Sequence, residues 1–253
     1  MKISIGKFQE LYSISLMELD ELDKSSLLVQ CLTNKSEVEV NRMSIKKFNK
    51  LCKDITSAFE RFSSNIDNLK PKNYVRVNGN WYFLNYDLAK PPMNAGRYVE
   101  VATFSGDIVG NLHKIMATMA NPMHWTIKGL KLDKGDINHQ KVANDMLKMD
   151  FSVAYHAAVF FLRSFHQINS EFPNLFSVNH GGEESNGGGS DEFSRSYGWL
   201  YNGKMVSEFE NISISEVWNL GVYQFLNDLA YLKMKREVDA EQERRLMNKY
   251  KNG

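Results

Sequence analysis

Cysteine is scarce in this chain of 253 residues, which has only Cys31 and Cys52. Each lies in a helical pattern among apolar neighbours, so we expect two reduced, buried thiols rather than a disulfide. A small secreted scaffold held together by disulfides is therefore excluded. The cysteine content favours a protein that is made, or assembled, in a cytoplasm.

Long apolar runs and an excess of one charge are also missing. The longest nearly apolar run, residues 153–162, is half the length of roughly 20 residues that a membrane-spanning helix needs. The segment after Lys2 is interrupted by Gln9 and Glu10, so we expect no signal peptide. Lys and Arg total 31 against 30 Asp and Glu, for a net charge of +1. A dedicated nucleic-acid-binding protein would carry a clustered basic excess instead.

The glycine-rich stretch 178–194 has the glycine spacing of a phosphate-binding loop but lacks the chemistry of one. Gly182 and Gly187 match the spacing, yet the next two residues are glycines where the loop needs a lysine and a hydroxyl residue. Glutamates between them would repel a phosphate. Glycine and serine form a flexible coil, and the carboxylates keep it solvated. We therefore predict a flexible loop over 178–194 that binds no nucleotide.

The six histidines lack the H-x-x-x-H and H-E-x-x-H spacings that place two metal ligands on one helical face. One alternative stays open, in which separate helices bring His113, His139 and His156 together and Asp145 or Glu100 serves as a base. Such a protein would be a small metal-dependent hydrolase. No G-x-S-x-G hydrolase motif is present. We expect satisfied or surface histidines, with no catalytic residue, no metal and no cofactor.

Helical patterns dominate the first part of the chain. Apolar periodicity and capping residues predict a bundle of short helices over residues 4–64, within an N-terminal helical module of residues 1–70. The pattern Ser-Ile-x-Lys-Phe-x-x-Leu occurs at 4–11 and again at 44–51. We interpret it as a repeated way to cap and start an amphipathic helix.

The apolar period then changes from helical to alternating. Residues 74–87 alternate around Asn78 and Gly79, which tolerate the positive φ values of a type I′ hairpin turn. Residues 97–104 alternate as well and are predicted to add a third strand. The sequence thus predicts a small β-meander over 72–104.

Helices return after residue 106. Residues 151–168 are apolar around most of their circumference, which predicts the core helix of a second domain over 71–253. A last helix is predicted over 222–250, and its second half is charged on nearly every face, so we expect it to be solvated, frayed or packed on a partner. The fold class is predicted to be mainly α with a small antiparallel β-sheet (α+β): an N-terminal helical bundle, a β-hairpin or meander, then a helical domain.

Several motifs carry a resemblance to a known group of proteins. In the N-terminal segment the pattern consists of Asp23-Lys24, Leu28, Leu32-Thr33, Ser36, Val38, Met43, Phe48 and Leu51. This pattern resembles a helical module that is frequent in tail-region and assembly proteins of tailed bacteriophages. The segments GRYVEVATF, NLHKIMATM, SYGWLYNGKMV and QFLNDLAYLKMKREVDAEQ are similar to proteins of crAss-like phages of gut Bacteroidetes.

The resemblance implies a role and no reaction. It implies a non-enzymatic virion-associated protein of the head–tail or tail region, either a structural part or cargo packaged with the genome. Its partners would be portal, tail or ring proteins and further copies of itself, and its location the tail or the capsid interior. No small-molecule substrate, membrane or direct nucleic-acid contact is expected. The alternative is a tail-assembly chaperone that is absent from the mature virion.

Overall fold

A computed structural model describes residues 3–64, 71–133, 137–176 and 188–251. The chain is mainly helical with one small four-stranded antiparallel sheet, which confirms the predicted α+β class. It divides into two compact units. Unit 1 comprises Met1–Tyr86 and Thr103–Leu162, and unit 2 comprises Asp87–Ala102 and Arg163–Gly253. These bounds are not those of the division at residue 70, which stays a prediction.

Unit 1 begins with a bundle of short helices, as the sequence predicted. A side-chain cap fixes the start of each of the first three: Ser4 accepts from the Lys7 amide, Asp20 from that of Asp23, and Ser36 from that of Glu39. A small apolar core forms around Val29, Val40 and Ile55. The helices are α1 (Ile5–Ser15), α2 (Glu21–Thr33), α3 (Glu37–Asn41) and α4 (Ile45–Ser64).

The sheet of unit 1 has the antiparallel strand order β1-β2-β3-β4. Asn78 and Gly79 have φ values of 49° and 84°, which confirms the predicted turn between the first two strands. The strands are β1 (Tyr74–Val77), β2 (Asn80–Leu84), β3 (Ala120–Thr126) and β4 (Gly129–Leu132).

The predicted strand at 97–104 is wrong, because these residues lie in helix α5 (Ala95–Phe104). Ala95, Tyr98 and Val101 are buried at a spacing of three, and this spacing suits one face of a helix. The third strand of the sheet is instead β3, which lies further along the chain at Ala120–Thr126. The predicted meander over 72–104 is therefore only its first hairpin.

The remaining helices of unit 1 are α6 (Leu112–Met119), α7 (His139–Met146) and α8 (Phe151–Glu171), preceded by a short 3₁₀ turn at Ser105–Asp107. Helix α8 matches the predicted core helix and continues into unit 2. Phe161 is fully buried, whereas its neighbour Phe160 is 44% exposed, so this helix has a core face and a surface face.

Unit 2 completes the described chain with α9 (Pro173–Phe176), α10 (Gly188–Glu210), α11 (Ile214–Val217) and α12 (Val222–Lys251). The last of these confirms the predicted helix over 222–250. The loop predicted for 178–194 is wrong over 188–194, where the helical pattern further along α10 propagates back to Gly188. Residues 178–187 lie outside the described part of the chain. No described helix is long and apolar enough to cross a membrane.

Candidate interaction surface

A row of large side chains runs along helix α10. Tyr197, Tyr201, Met205 and Phe209 follow one another at intervals of four residues, so they lie along one face of the helix. Tyr197 is 54% exposed, Tyr201 42% and Phe209 47%. Half-exposed aromatic rings in a continuous row are a larger apolar feature than the single exposed residues of ordinary surfaces.

Helix α12 packs beside this row and forms a groove with it. The rings of Phe209 and Tyr231 lie 5.4 Å apart, and the guanidinium of Arg236 lies 5.3 Å from the centre of the Tyr201 ring. Between the two helices is a cavity of about 350 Å³. We call it the α10–α12 groove, and its lining is Met205, Glu208, Phe209, Leu232, Lys235, Arg236 and Asp239.

The opposite face of α10 is held by an aromatic core within unit 2. Val206 is fully buried, and Gly203 lies directly against Trp218. The Trp218 ring is 6.0 Å from that of Phe225 on α12, and Phe225 is 6.5 Å from Trp199 on α10. This core fixes how α10 sits on α12, so the groove on the other side is a preformed surface.

The second half of α12 is exposed along its whole length, and its first residues, from Lys235 to Asp239, border the α10–α12 groove. Every residue over 234–250 is exposed, a length of roughly 25 Å at about 1.5 Å per residue. Glu241 and Arg245 form an ion pair in this stretch. A helix that is polar on nearly all faces needs such pairs or a partner. Its large exposed apolar side chains are Met234, Val238, Leu246, Met247 and Tyr250.

One carboxyl group near the groove is electrostatically unfavourable. Burial, the negative charge of Glu210 and a hydrogen bond with that residue raise the pKa of Asp228 to about 6. Within the described residues, the Oδ2 atom of Asp228 is buried without a hydrogen-bond partner. Asp228 on α12 and Glu210 at the end of α10 therefore repel each other at neutral pH.

Asp145, one of the acids considered as a base, is an anchor for the β1–β2 hairpin. It is 6% exposed and accepts hydrogen bonds from Asn78 Nδ2 at 2.7 Å, Asn80 Nδ2 at 2.9 Å and the Tyr82 hydroxyl at 2.5 Å. Burial alone would raise the pKa of Asp145, but these donors and the charge of Lys141 outweigh it and lower the pKa. A carboxylate held so firmly as an acceptor is a weak base.

The three histidines of the possible metal site do not form one. His113 Nδ1 lies 3.0 Å from Gln9 Nε2, and His156 Nδ1 lies 2.6 Å from the Ser152 carbonyl. Burial and, to a smaller extent, Lys114 lower the pKa of His113. Among the described residues, no group of three or more His, Cys, Asp or Glu side chains could hold a metal ion.

The other candidates for chemistry also have structural surroundings. Glu100 lies in α5, in unit 2, where its charge partly offsets the effect of burial on the pKa of Arg97. Both cysteines are free and half-buried. Burial, followed by a hydrogen bond to Glu10, raises the pKa of Cys31 to about 11, so its thiolate is disfavoured.

Comparisons with protein-family models, with curated proteins and with solved structures find no match for this chain. The surface therefore has to be interpreted from its own residues. Sequence reasoning allowed the end of α12 to be solvated, frayed or packed on a partner, and it missed the row on α10. The row could have been found from the recurrence of Tyr, Tyr, Met and Phe every four residues from Tyr197 to Phe209.

Proposed function

We propose that this protein is a non-enzymatic component of the head–tail or tail region of a tailed bacteriophage particle, and that it acts by binding other proteins of the particle. The observation that carries the proposal is the row of half-exposed aromatic side chains beside the α10–α12 groove. The resemblance to phage tail-region proteins gives the setting for such contacts.

The residue types of the aromatic row and of the adjoining groove support a protein partner. Tyrosine, phenylalanine, methionine and arginine are enriched in the cores of protein interfaces, and tyrosine and arginine are frequent among the residues that contribute most to binding. Tyr201 with Arg236 and Phe209 with Tyr231 are two preformed pairs of this kind. Because they are already packed together, binding would cost little side-chain ordering.

The exposed half of α12 supports the same proposal. In proteins, most helical stability comes from packing rather than from intrinsic propensity, and isolated helices shorter than about 12–15 residues are marginal. The exposed stretch 234–250 is little longer than that limit. Contact with a neighbouring protein would stabilise it and bury side chains such as Leu246 and Met247.

The surroundings of the possible catalytic groups favour assembly over hydrolysis. Asp145 is committed to the hairpin, and the Cys31 thiol has a raised pKa. A hydrolase would need a nucleophile or a metal-bound water with a base beside it. The groove is lined by Phe209, Met205 and Leu232 together with acidic and basic side chains, a mixture that suits a protein contact with a polar rim.

Mass spectrometry of purified phage particles tests the proposal. We expect this chain at a fixed ratio to the portal and tail proteins, and we expect the ratio to survive a salt wash. A tail-assembly chaperone would be bound to a tail protein in infected cells and absent from finished particles. Absence from both particles and assembly intermediates would contradict a role in assembly altogether.

A further inference from the structure

We propose that the α10–α12 groove binds a second copy of this chain around a two-fold axis, so that two α10–α12 pairs form a four-helix bundle. This inference rests on the proposed function only in taking the groove to be a protein contact. It names the occupant of the groove, and it predicts a closed dimer as the unit that enters larger assemblies.

The geometry of α10 suits a contact with an identical surface. A two-fold interface places the same patch on both copies, so the patch has to complement itself. Side chains at intervals of four residues form ridges, and the ridges of two helices can pack into the grooves between them. The row from Tyr197 to Phe209 is such a ridge, and Leu232 and Arg236 of α12 line the groove beside it.

The charges around the groove are balanced, and this favours a second copy over a strongly charged partner. The lining contains two acidic side chains, Glu208 and Asp239, and two basic ones, Lys235 and Arg236. A patch of one sign would repel its own copy, whereas a balanced patch offers each charge an opposite partner across the axis. The near-neutral charge of the whole chain, +1, adds no long-range repulsion between copies.

The apolar area available is close to that of a modest dimer. Large aromatic side chains bury about 150–250 Å² each, so half-exposed ones present on the order of 100 Å² apiece. The aromatic row, Tyr231 and the neighbouring Met234 and Val238 together offer on the order of 600 Å² per copy. A standard interface buries about 800 Å² per partner. The charged side chains at the edges of the groove would supply the rest of the buried area. Because the apolar area is modest, we expect the dimer to be reversible.

Analytical ultracentrifugation of the full chain tests the inference. The concentration runs from about 1 to about 200 µM, a range that brackets micromolar affinity. We expect the wild-type mass to rise to that of two copies and no further. Tyr201→Glu and, separately, Tyr231→Glu each place a carboxylate in the contact and should weaken the dimer at least about tenfold, roughly 1.4 kcal/mol. Circular dichroism and thermal unfolding select the variants that fold.

Ile45→Glu is the control, because Ile45 is an exposed apolar residue on α4 of unit 1, away from the groove in the sequence. We expect it to dimerise like the wild type. A wild-type chain that stays monomeric up to about 200 µM overturns the inference. A dimer that neither folded glutamate variant weakens overturns it as well. Growth beyond two copies would overturn the closed two-fold arrangement.

The outcome separates this inference from the proposed function. A monomeric chain that is nevertheless present in phage particles would remove the second copy and leave the proposed function standing. A dimer that depends on Tyr201 and Tyr231 would support the second copy in the groove. If that dimer were absent from particles and assembly intermediates, the proposed function would be contradicted.

Discussion

Gly203 on α10 lies against the indole ring of Trp218. A Cβ atom built on Gly203 would be 2.4 Å from Cη2 of that ring, closer than any real contact. Trp218 in turn packs on Phe225 of α12, so the absence of a side chain at Gly203 lets α10 approach this aromatic core. The close approach positions the opposite face of α10, which carries the aromatic row.

Gly203→Ala is therefore expected to destabilise the protein by about 1–3 kcal/mol, because the indole has to move within a packed core. Gly198→Ala is the matched control on the same helix. A Cβ at Gly198 would meet nothing within 4 Å, so the better helix propensity of alanine should stabilise by about 0.5–1 kcal/mol. Urea unfolding measures both. Equal effects of the two substitutions would contradict the close approach.

The anchor of the β1–β2 hairpin gives a second prediction. Tyr82→Phe removes the hydroxyl that donates to Asp145 at 2.5 Å, and a hydrogen bond to a charged group contributes about 1.5–3 kcal/mol. We expect the free energy of unfolding to fall by that amount. Tyr74→Phe in the neighbouring strand changes an exposed tyrosine and should stay within about 0.5 kcal/mol of the wild type. If the two variants were equally stable, Asp145 would not be an anchor.

Two adjacent phenylalanines of α8 separate core from surface. Phe161 is fully buried, so Phe161→Ala should cost about 3–5 kcal/mol. Phe160 is 44% exposed and makes an edge-on contact with Tyr86 at 5.4 Å, so Phe160→Ala should cost only about 1–2 kcal/mol. Thermal or urea unfolding of both variants checks the difference. A larger loss at Phe160 would contradict the orientation of α8.

This pair also marks how far the sequence could go. The apolar run 151–168 predicted a core helix correctly, but a helix that is apolar on most faces does not reveal which face is inside. Helix α5 was mistaken for a strand because RYVEVATF alternates and also has apolar residues at helical spacing. Short segments of this kind are decided by tertiary contacts, which local patterns do not contain.

The candidate surface was hidden for a related reason. Trp199 and Val206 alternate along α10 with Tyr197, Tyr201 and Phe209, so the sequence is rich in large side chains on both faces. Only the packing of Trp218 on Phe225 shows which face is covered. The caps at Ser4, Asp20 and Ser213, by contrast, are local hydrogen bonds within one turn of chain. They could be predicted because nothing distant decides them.

The stability of unit 2 should depend on pH through Asp228. Its pKa is raised from 3.8 to about 6, so the folded state holds a proton that the unfolded state has lost. The contribution of Asp228 to stability therefore falls as pH rises from about 4 to about 6 and stays lower at pH 7. Asp228→Asn should remove this fall and be more stable than the wild type at pH 7, with little difference at pH 4.

Urea unfolding at a series of pH values measures the effect. Glu208→Gln is the control, because Glu208 is an exposed carboxylate on the neighbouring helix whose side chain is 70% exposed. It should leave the pH dependence of the wild type unchanged. A wild-type chain whose stability rises between pH 4 and 6, with Asp228→Asn following the same curve, would contradict the raised pKa.

The central claim is that this protein acts by assembly through the α10–α12 groove. The copy number of variants of this surface in purified phage particles tests it most directly. Particles would be prepared with the wild-type chain, with Tyr201→Glu and with Ile45→Glu, and each chain quantified against the portal protein by mass spectrometry. We predict equal amounts of wild type and Ile45→Glu, and at least about a tenfold loss of Tyr201→Glu, about 1.4 kcal/mol of binding free energy. Particles that retain folded Tyr201→Glu at the wild-type level, or that lack the wild-type chain, would contradict it.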